Sequence, residues 1–183
     1  MAAIGVFCAS SQRLEQRWLD LAYDLGVEIG RRGHELVSGG GCVGMMGAVA
    51  DGARAGGART YGVIPQSLVD LEVADTKADE LVVTDGMGVR KTLMIDRADA
   101  FITLPGGLGT LDELFEVWTT AMLNLHRKPL LLLDADGFYR GLLDWLRGVT
   151  SQEFVRPEAM SMLLTSREVG ESLDLVEAAL IGA

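Results

Sequence analysis

Short apolar runs recur along the chain at residues 4–9, 35–38, 60–64, 81–84, 100–104 and 130–133, and most are followed by glycine. Between them the apolar positions change period. Leu14, Trp18, Leu21, Leu25 and Ile29 are spaced four, three, four and four apart, which puts them on one face of a helix, and Phe138, Leu142 and Leu146 repeat the spacing. Continuous apolar runs that each lead into a helix are what a parallel sheet covered on both faces produces, because neither side of such a strand meets water. The pattern predicts an α/β fold, a doubly wound parallel sheet with helices on both faces. Residues 168–180 read as a final helix, and residues 67–79, polar and acidic without strong periodicity, as a surface segment. Pro65, Pro105, Pro129 and Pro157 fall at element ends and no repeat or linker interrupts the pattern, so residues 1–183 read as one domain.

Charge narrows the choice of partners. The 16 Lys and Arg are outnumbered by 26 Asp and Glu, a net charge of −10, which argues against nucleic acid or an anionic membrane as partner. No apolar run approaches the ~20 residues of a membrane span, and the amino terminus, MAAIGVFCAS, has no basic stretch before its apolar one. Two cysteines, Cys8 and Cys42, are too few for a disulfide framework and read as buried free thiols, so a soluble protein of the reducing cytoplasm is expected. With His34 and His126 distant and each just before a strand, no metal-ligand spacing and no Ser-His-Asp base is available.

In open α/β sheets ligands bind outside the carboxyl ends of the strands. Three clusters fall there: Ala9-Ser10-Ser11, Ser38-Gly39-Gly40-Gly41, and Pro105-Gly106-Gly107-Leu108-Gly109-Thr110, the last running into a helix with Leu111, Leu114, Phe115 and Trp118 on its apolar face. Glycines let backbone N–H groups approach an anion, and a helix start adds unsatisfied donors and partial positive charge, so a phosphate fits. Thr110 and Glu113 also have the spacing of a capping box, a purely structural alternative. Gly39-x-Gly41-x-x-Gly44 matches a dinucleotide fingerprint, but it follows the second strand and lacks the acid expected after the next one, which argues against NAD. No cofactor is expected. The remaining reactive groups lie in residues 85–91, where helical spacing aligns Met87 with Arg90, Lys91 and Met94.

Residues 105–113, PGGLGTLDE, reproduce every fixed position of the motif PGGxGTxxE, and Met87-x-x-Arg90-Lys91 precedes it. With FCASS, SGGGCVGMMG, GVIP and LLLLDADGFY, the chain closely resembles over nearly its whole length the LOG (LONELY GUY) family, cytokinin riboside 5′-monophosphate phosphoribohydrolases often mislabelled as lysine decarboxylases. The resemblance implies a Rossmann-like homodimer that hydrolyses the N-glycosidic bond of AMP or an N6-prenylated AMP to free base and ribose 5-phosphate. It implies Arg90 and Glu113 as catalytic pair. Lys91, Gly106, Gly107, Gly109 and Thr110 would grip the phosphate, Gly40 and Gly41 would complete the cradle, and Ser10 and Met87 would join the substrate contacts. Gly88-Val89 stand where many members carry His-Glu, and Asp85 is a general-acid candidate by position alone. A molybdenum-cofactor carrier of similar fold is the competing non-enzymatic reading.

Overall fold

The computed structural model describes residues 1–71 and 73–182; Glu72, inside the segment read as surface, and Ala183 lie outside the described residues. The first half of the chain runs β1 (Ala3–Phe7), α1 (Gln16–Arg31), β2 (Glu35–Ser38), α2 (Gly44–Gly56), β3 (Thr60–Pro65), α3 (Gln66–Val69), β4 (Glu80–Thr84) and α4 (Met87–Arg97). The second half runs β5 (Ala100–Thr103), α5 (Leu108–Met122), β6 (Leu130–Leu133), α6 (Arg140–Ser151), α7 (Pro157–Ser161), β7 (Leu163–Ser166) and α8 (Val169–Ile181). The seven strands form one sheet in the order β4-β3-β2-β1-β5-β6-β7, and every pairing is parallel. The chain therefore winds outward from β1 in one direction, then returns through α4 to β5 on the other side of β1. That reversal opens a crevice at the carboxyl ends of β1 and β5.

Alternation along each strand divides the core in two. Ile4 and Val6 of β1, with Leu36, Ile102 and Leu131, pack on Leu25 and Ile29 of α1, Met45 and Val49 of α2, and Leu173 and Val176 of α8. Phe7, Val37, Val63, Phe101 and Leu132 face the other way, onto Met94 of α4, Leu114 and Val117 of α5, and Leu143 and Leu146 of α6. Both faces are dry, as the continuous apolar runs require. Trp118 belongs to this second core; its indole N–H donates to Ala159 O at 2.7 Å.

The strands of the sequence reading are all present, with ends shifted by at most two residues. Three of its other readings change. Phe138 precedes α6 and is exposed, so the buried face of that helix is Leu143 and Leu146. Residues 67–79 are more than surface: Ala74 pairs in a bridge with Gly41, Asp75 N–H donates to Gly40 O at 2.8 Å, and the buried Asp75 carboxylate holds Arg54 at 2.8 Å. The segment is a strap across the glycine loop after β2. Cys42 is exposed, although Cys8 is buried, and both thiols are free.

Helix α2 and strand β7 were not read from the sequence. Glycine is the poorest ordinary helix former, about 1 kcal/mol worse than alanine, yet α2 contains Gly52 and Gly56 because α1 lies against its backbone. A Cβ on Gly52 would stand 2.0 Å from Tyr23 O, and one on Gly26 would stand 2.2 Å from Val49 O. No side chain fits this seam. Gly52→Ala is expected to cost about 1–3 kcal/mol, the usual scale of overpacking, and thermal melting should register it as a loss of several degrees; an unchanged melting temperature would contradict the seam.

Candidate active site

The carboxyl ends of β1, β2 and β5 surround a cavity of about 580 Å³. Arg90 and Glu113 stand on its floor. Arg90 comes from the first turn of α4, and its side chain is 6% exposed; Nε donates to Val63 O at 3.0 Å, and Nη1 to Glu113 Oε1 at 2.8 Å. A planar fork with both arms engaged has one orientation, which a lysine could not reproduce. Gly39 makes the arrangement sterically possible, because a Cβ there would lie 1.8 Å from Arg90 Nη2.

Glu113 sits in the second turn of α5 with its side chain 11% exposed. Burial raises its pKa above the ordinary 4.5, and the Arg90 charge and hydrogen bond oppose that rise. The capping-box reading does not hold. The residue before the helix is Gly107, Thr110 is the third residue inside α5, and the Glu113 carboxylate is bonded to Arg90. Beside the pair, burial pushes the Cys8 thiol up and the Glu113 charge adds to the rise, so Cys8 is a neutral thiol on the cavity floor.

The mouth of the cavity at β5 is the start of α5. The first helical bond there runs from Leu111 N–H to Gly107 O, which leaves the N–H groups of residues 108–110 at the helix's positive end for a ligand. Gly107 and Gly109 line the cavity with the buried Thr110. Gly106 does not line it; a Cβ on Gly106 would meet Thr110 Oγ1 at 2.1 Å, so its lack of a side chain is what lets Thr110 close under the loop.

The sequence-derived residues separate into two groups. Arg90, Glu113, Gly41, Gly107, Gly109, Thr110, Ser10 and Met87 all line the cavity. Lys91, Gly40, Gly106 and Asp85 do not. Lys91, expected to grip a phosphate, instead pairs with Glu116 at 2.7 Å and Asp112 at 3.0 Å, and both carboxylates raise its pKa. It ties α4 to α5 behind the cavity wall. Gly40 has both backbone groups engaged, its N–H with Ser38 Oγ at 3.3 Å and its O with Asp75 N–H, so it shapes the loop from beneath. Sequence reasoning missed Leu68 of α3 and Leu71 and Val73 after it, which join Val43, Met46 and Met87 as an apolar wall over the cavity. Their signal was a scatter of leucines and valines through an acidic stretch.

His34 and His126 line a separate cavity of about 740 Å³ at the amino ends of the strands, away from this chemistry. Among the described residues, no three of His, Cys, Asp and Glu gather as a metal site, and no helix is long and apolar enough to cross a membrane.

A parallel sheet with a glycine-lined helix start and a buried guanidinium–carboxylate pair at its switch point defines a Rossmann-like fold with a cavity at the carboxyl ends of its strands. The family described as "Possible lysine decarboxylase" matches residues 46–176. The cytokinin riboside 5′-monophosphate phosphoribohydrolase of Mycobacterium tuberculosis is 49% identical over 170 residues, covering 93% of this chain and 90% of that protein. The enzyme of the same name called LOG in Oryza sativa is 42% identical over 169 residues, 91% of this chain and 70% of the relative. The chain belongs to the LOG family of phosphoribohydrolases. The molybdenum cofactor carrier protein of Chlamydomonas reinhardtii superposes with a TM-score of 0.75 over 98% of each chain at 22% identity, a likeness of fold.

The pair is also a constraint on stability. Removing Arg90 leaves a buried carboxylate without its partner, an effect of about 3–5 kcal/mol. Because Glu113 then has a folded pKa further above 4.5, its proton is held more tightly folded than unfolded, and stability falls as pH rises through that folded value. Arg90→Ala is therefore expected to melt well below the parent at pH 8, with the deficit shrinking towards pH 4.5; a deficit independent of pH would contradict the buried pairing.

Proposed function

We propose that the protein hydrolyses the N-glycosidic bond of AMP or N6-prenylated AMP, releasing the free base and ribose 5-phosphate. The observation that carries this reading is the buried Arg90–Glu113 pair one turn beyond a helix start with free N–H groups. At 1.5 Å per residue, Glu113 lies about 7.5 Å along α5 from Leu108, a span that a ribose and its 5′ carbon bridge. With the phosphate on the N–H groups of residues 108–110 and the Thr110 hydroxyl, the anomeric carbon comes to Glu113. The purine then reaches the apolar wall of Val43, Met46, Leu68 and Val73.

The chemistry follows from that placement. The C1′–N9 bond breaks with its electron pair going to the base, and positive charge develops over C1′ and the ring oxygen. The Glu113 carboxylate, held by Arg90 in a largely buried setting, faces that charge where the low dielectric makes the interaction strong. Water adds its oxygen to C1′, and its proton passes to the purine, which carries basic ring nitrogens of its own. No separate general acid is needed, and Asp85, exposed and outside the cavity, is not assigned one. Two-carboxylate glycosidases offer the nearest analogy.

The decarboxylase description fits these residues poorly. Pyridoxal phosphate needs a lysine for its Schiff base, and no lysine lines the cavity: Lys91 is paired to Asp112 and Glu116, Lys77 lies at another pocket, and Lys128 donates to Ile95 O at 2.6 Å. The carrier reading gives no use for a carboxylate buried beside an arginine. A homodimer of the cytoplasm completes the proposal, supported by the exposed Leu123, Leu125 and Phe154 around the end of α5 and by two free thiols. Trp118 of the same helix takes no part in that face, since it is buried in its own core. With its charge of −10, the protein is not expected to bind nucleic acid.

Glu113→Gln preserves shape and removes the charge. Hydrolysis of AMP and of its prenylated analogue, followed by chromatography of the free base, is expected to fall by roughly 10²-fold or more with nucleotide binding retained; turnover near the parent rate would reject the role. Because burial raises Glu113 above 4.5, the acid limb of kcat/KM should lie above the ordinary carboxylate range. Adenosine should be a poor substrate beside AMP, and equal rates would remove the phosphate from the proposal.

A further inference from the structure

The phosphate end of the cavity depends on residues 104–107, a loop whose two glycines bring no side chains to hold it. Bonds from elsewhere in the fold do so: Leu104 N–H donates to Phe7 O at 2.9 Å, and two more follow. Ala9 N–H donates to Pro105 O at 3.3 Å, and the Tyr139 hydroxyl donates to Leu104 O at 2.8 Å. Tyr139 is buried and does not line the cavity. Its phenol also lies against the Gly106 backbone N–H, and burial pushes its pKa up, so the hydroxyl keeps its proton and remains a donor.

The turn after β6 is built to seat this side chain. Asp134, itself buried, accepts the Tyr139 N–H on Oδ1 at 2.6 Å, while its own N–H donates to Ser166 O at 2.8 Å on β7. Between them Asp136 and Gly137 take left-handed conformations, φ 55° and 69°, which reverse the chain. The Phe138 ring packs edge-on against Tyr139 with centroids 4.8 Å apart. An aspartate in the left-handed region persists only where its surroundings hold it. The chemistry at Arg90 and Glu113 uses none of residues 134–139.

We infer that Tyr139 is a positioning residue for phosphate binding, its hydroxyl fixing the loop before α5 so that the N–H groups of residues 108–110 converge on one phosphate. This rests on the reading that the cavity takes a nucleoside 5′-monophosphate with its phosphate at the start of α5. A hydroxyl that served only the core would weaken both halves of the ligand alike, or neither.

The test is Tyr139→Phe, which removes one oxygen and keeps the ring. Calorimetric binding of ribose 5-phosphate and of adenine is compared with steady-state hydrolysis of AMP. The expected result is a Kd for ribose 5-phosphate and a KM for AMP raised roughly fivefold to tenfold, the scale of one hydrogen bond, with kcat within about twofold and adenine binding unchanged. Unchanged constants, or equal weakening for both ligands, would overturn the assignment. A parent that binds ribose 5-phosphate but hydrolyses no nucleotide would defeat the hydrolase reading alone, and the same binding ratio would still judge Tyr139. Should the phenylalanine variant fail to fold, Asp134→Asn, which leaves the phenol and weakens the bond that seats it, is expected to raise the ribose 5-phosphate Kd selectively; parent-like binding there would overturn the inference.

Discussion

A guanidinium and a carboxylate buried together at the end of a sheet set the terms for the rest of this fold. Neither Arg90 nor Glu113 is tolerable alone in that setting, since an unpaired buried charge costs several kcal/mol, and together they hold only if each is aimed. The aiming is distributed over three elements. Strand β3 offers the Val63 carbonyl to Nε, α5 offers the Glu113 carboxylate to Nη1, and the glycine loop after β2 leaves at Gly39 the space the fork occupies. A side chain at residue 39 or a shift of α5 would each strand a charge.

The same constraint explains why the site lies where it does. Parallel strands that wind outward from β1 and then resume at β5 leave their loops diverging at one place, and the helix start after β5 points its N–H groups into that gap. Lys91 was expected inside, yet its charge is spent on Glu116 and Asp112, which locks α4, the bearer of Arg90, against α5, the bearer of Glu113. Its contribution is to rigidity. The strap after α3 closes the opposite wall by backbone bonds to the glycine loop and by the buried Asp75–Arg54 pair, so the cavity is apolar on one side and polar on the other.

Much of this was legible in the chain because it rests on local pattern. Uninterrupted apolar strands announced a sheet covered on both faces, and the glycine clusters at their ends marked the cavity, since only a few residue types permit such close backbone approach. What escaped was set by tertiary contact. Helix α2 reads as a poor helix because Gly52 and Gly56 answer to the backbone of α1, and β7 is four residues whose pairing partner is fixed only once β6 is placed. Residues 67–79 looked like surface because their apolar members have no period; a cavity wall draws single residues, here Leu68, Leu71 and Val73, with no spacing to mark them. Thr110 and Glu113 had the spacing of a cap, but the helix begins earlier than that spacing implied, at Leu108, and the Glu113 carboxylate is turned to Arg90. No rule of spacing contains that long-range partner.

The central claim is one of placement: a phosphate on the first turn of α5 and an anomeric carbon over Glu113. A crystal structure of the Glu113→Gln protein soaked with AMP tests it most directly. The account predicts phosphate oxygens on the N–H groups of residues 108–110, the purine against Val43, Met46 and Val73, and C1′ facing residue 113. A nucleotide bound in the cavity with its phosphate elsewhere, or with C1′ turned away from residue 113, would contradict it.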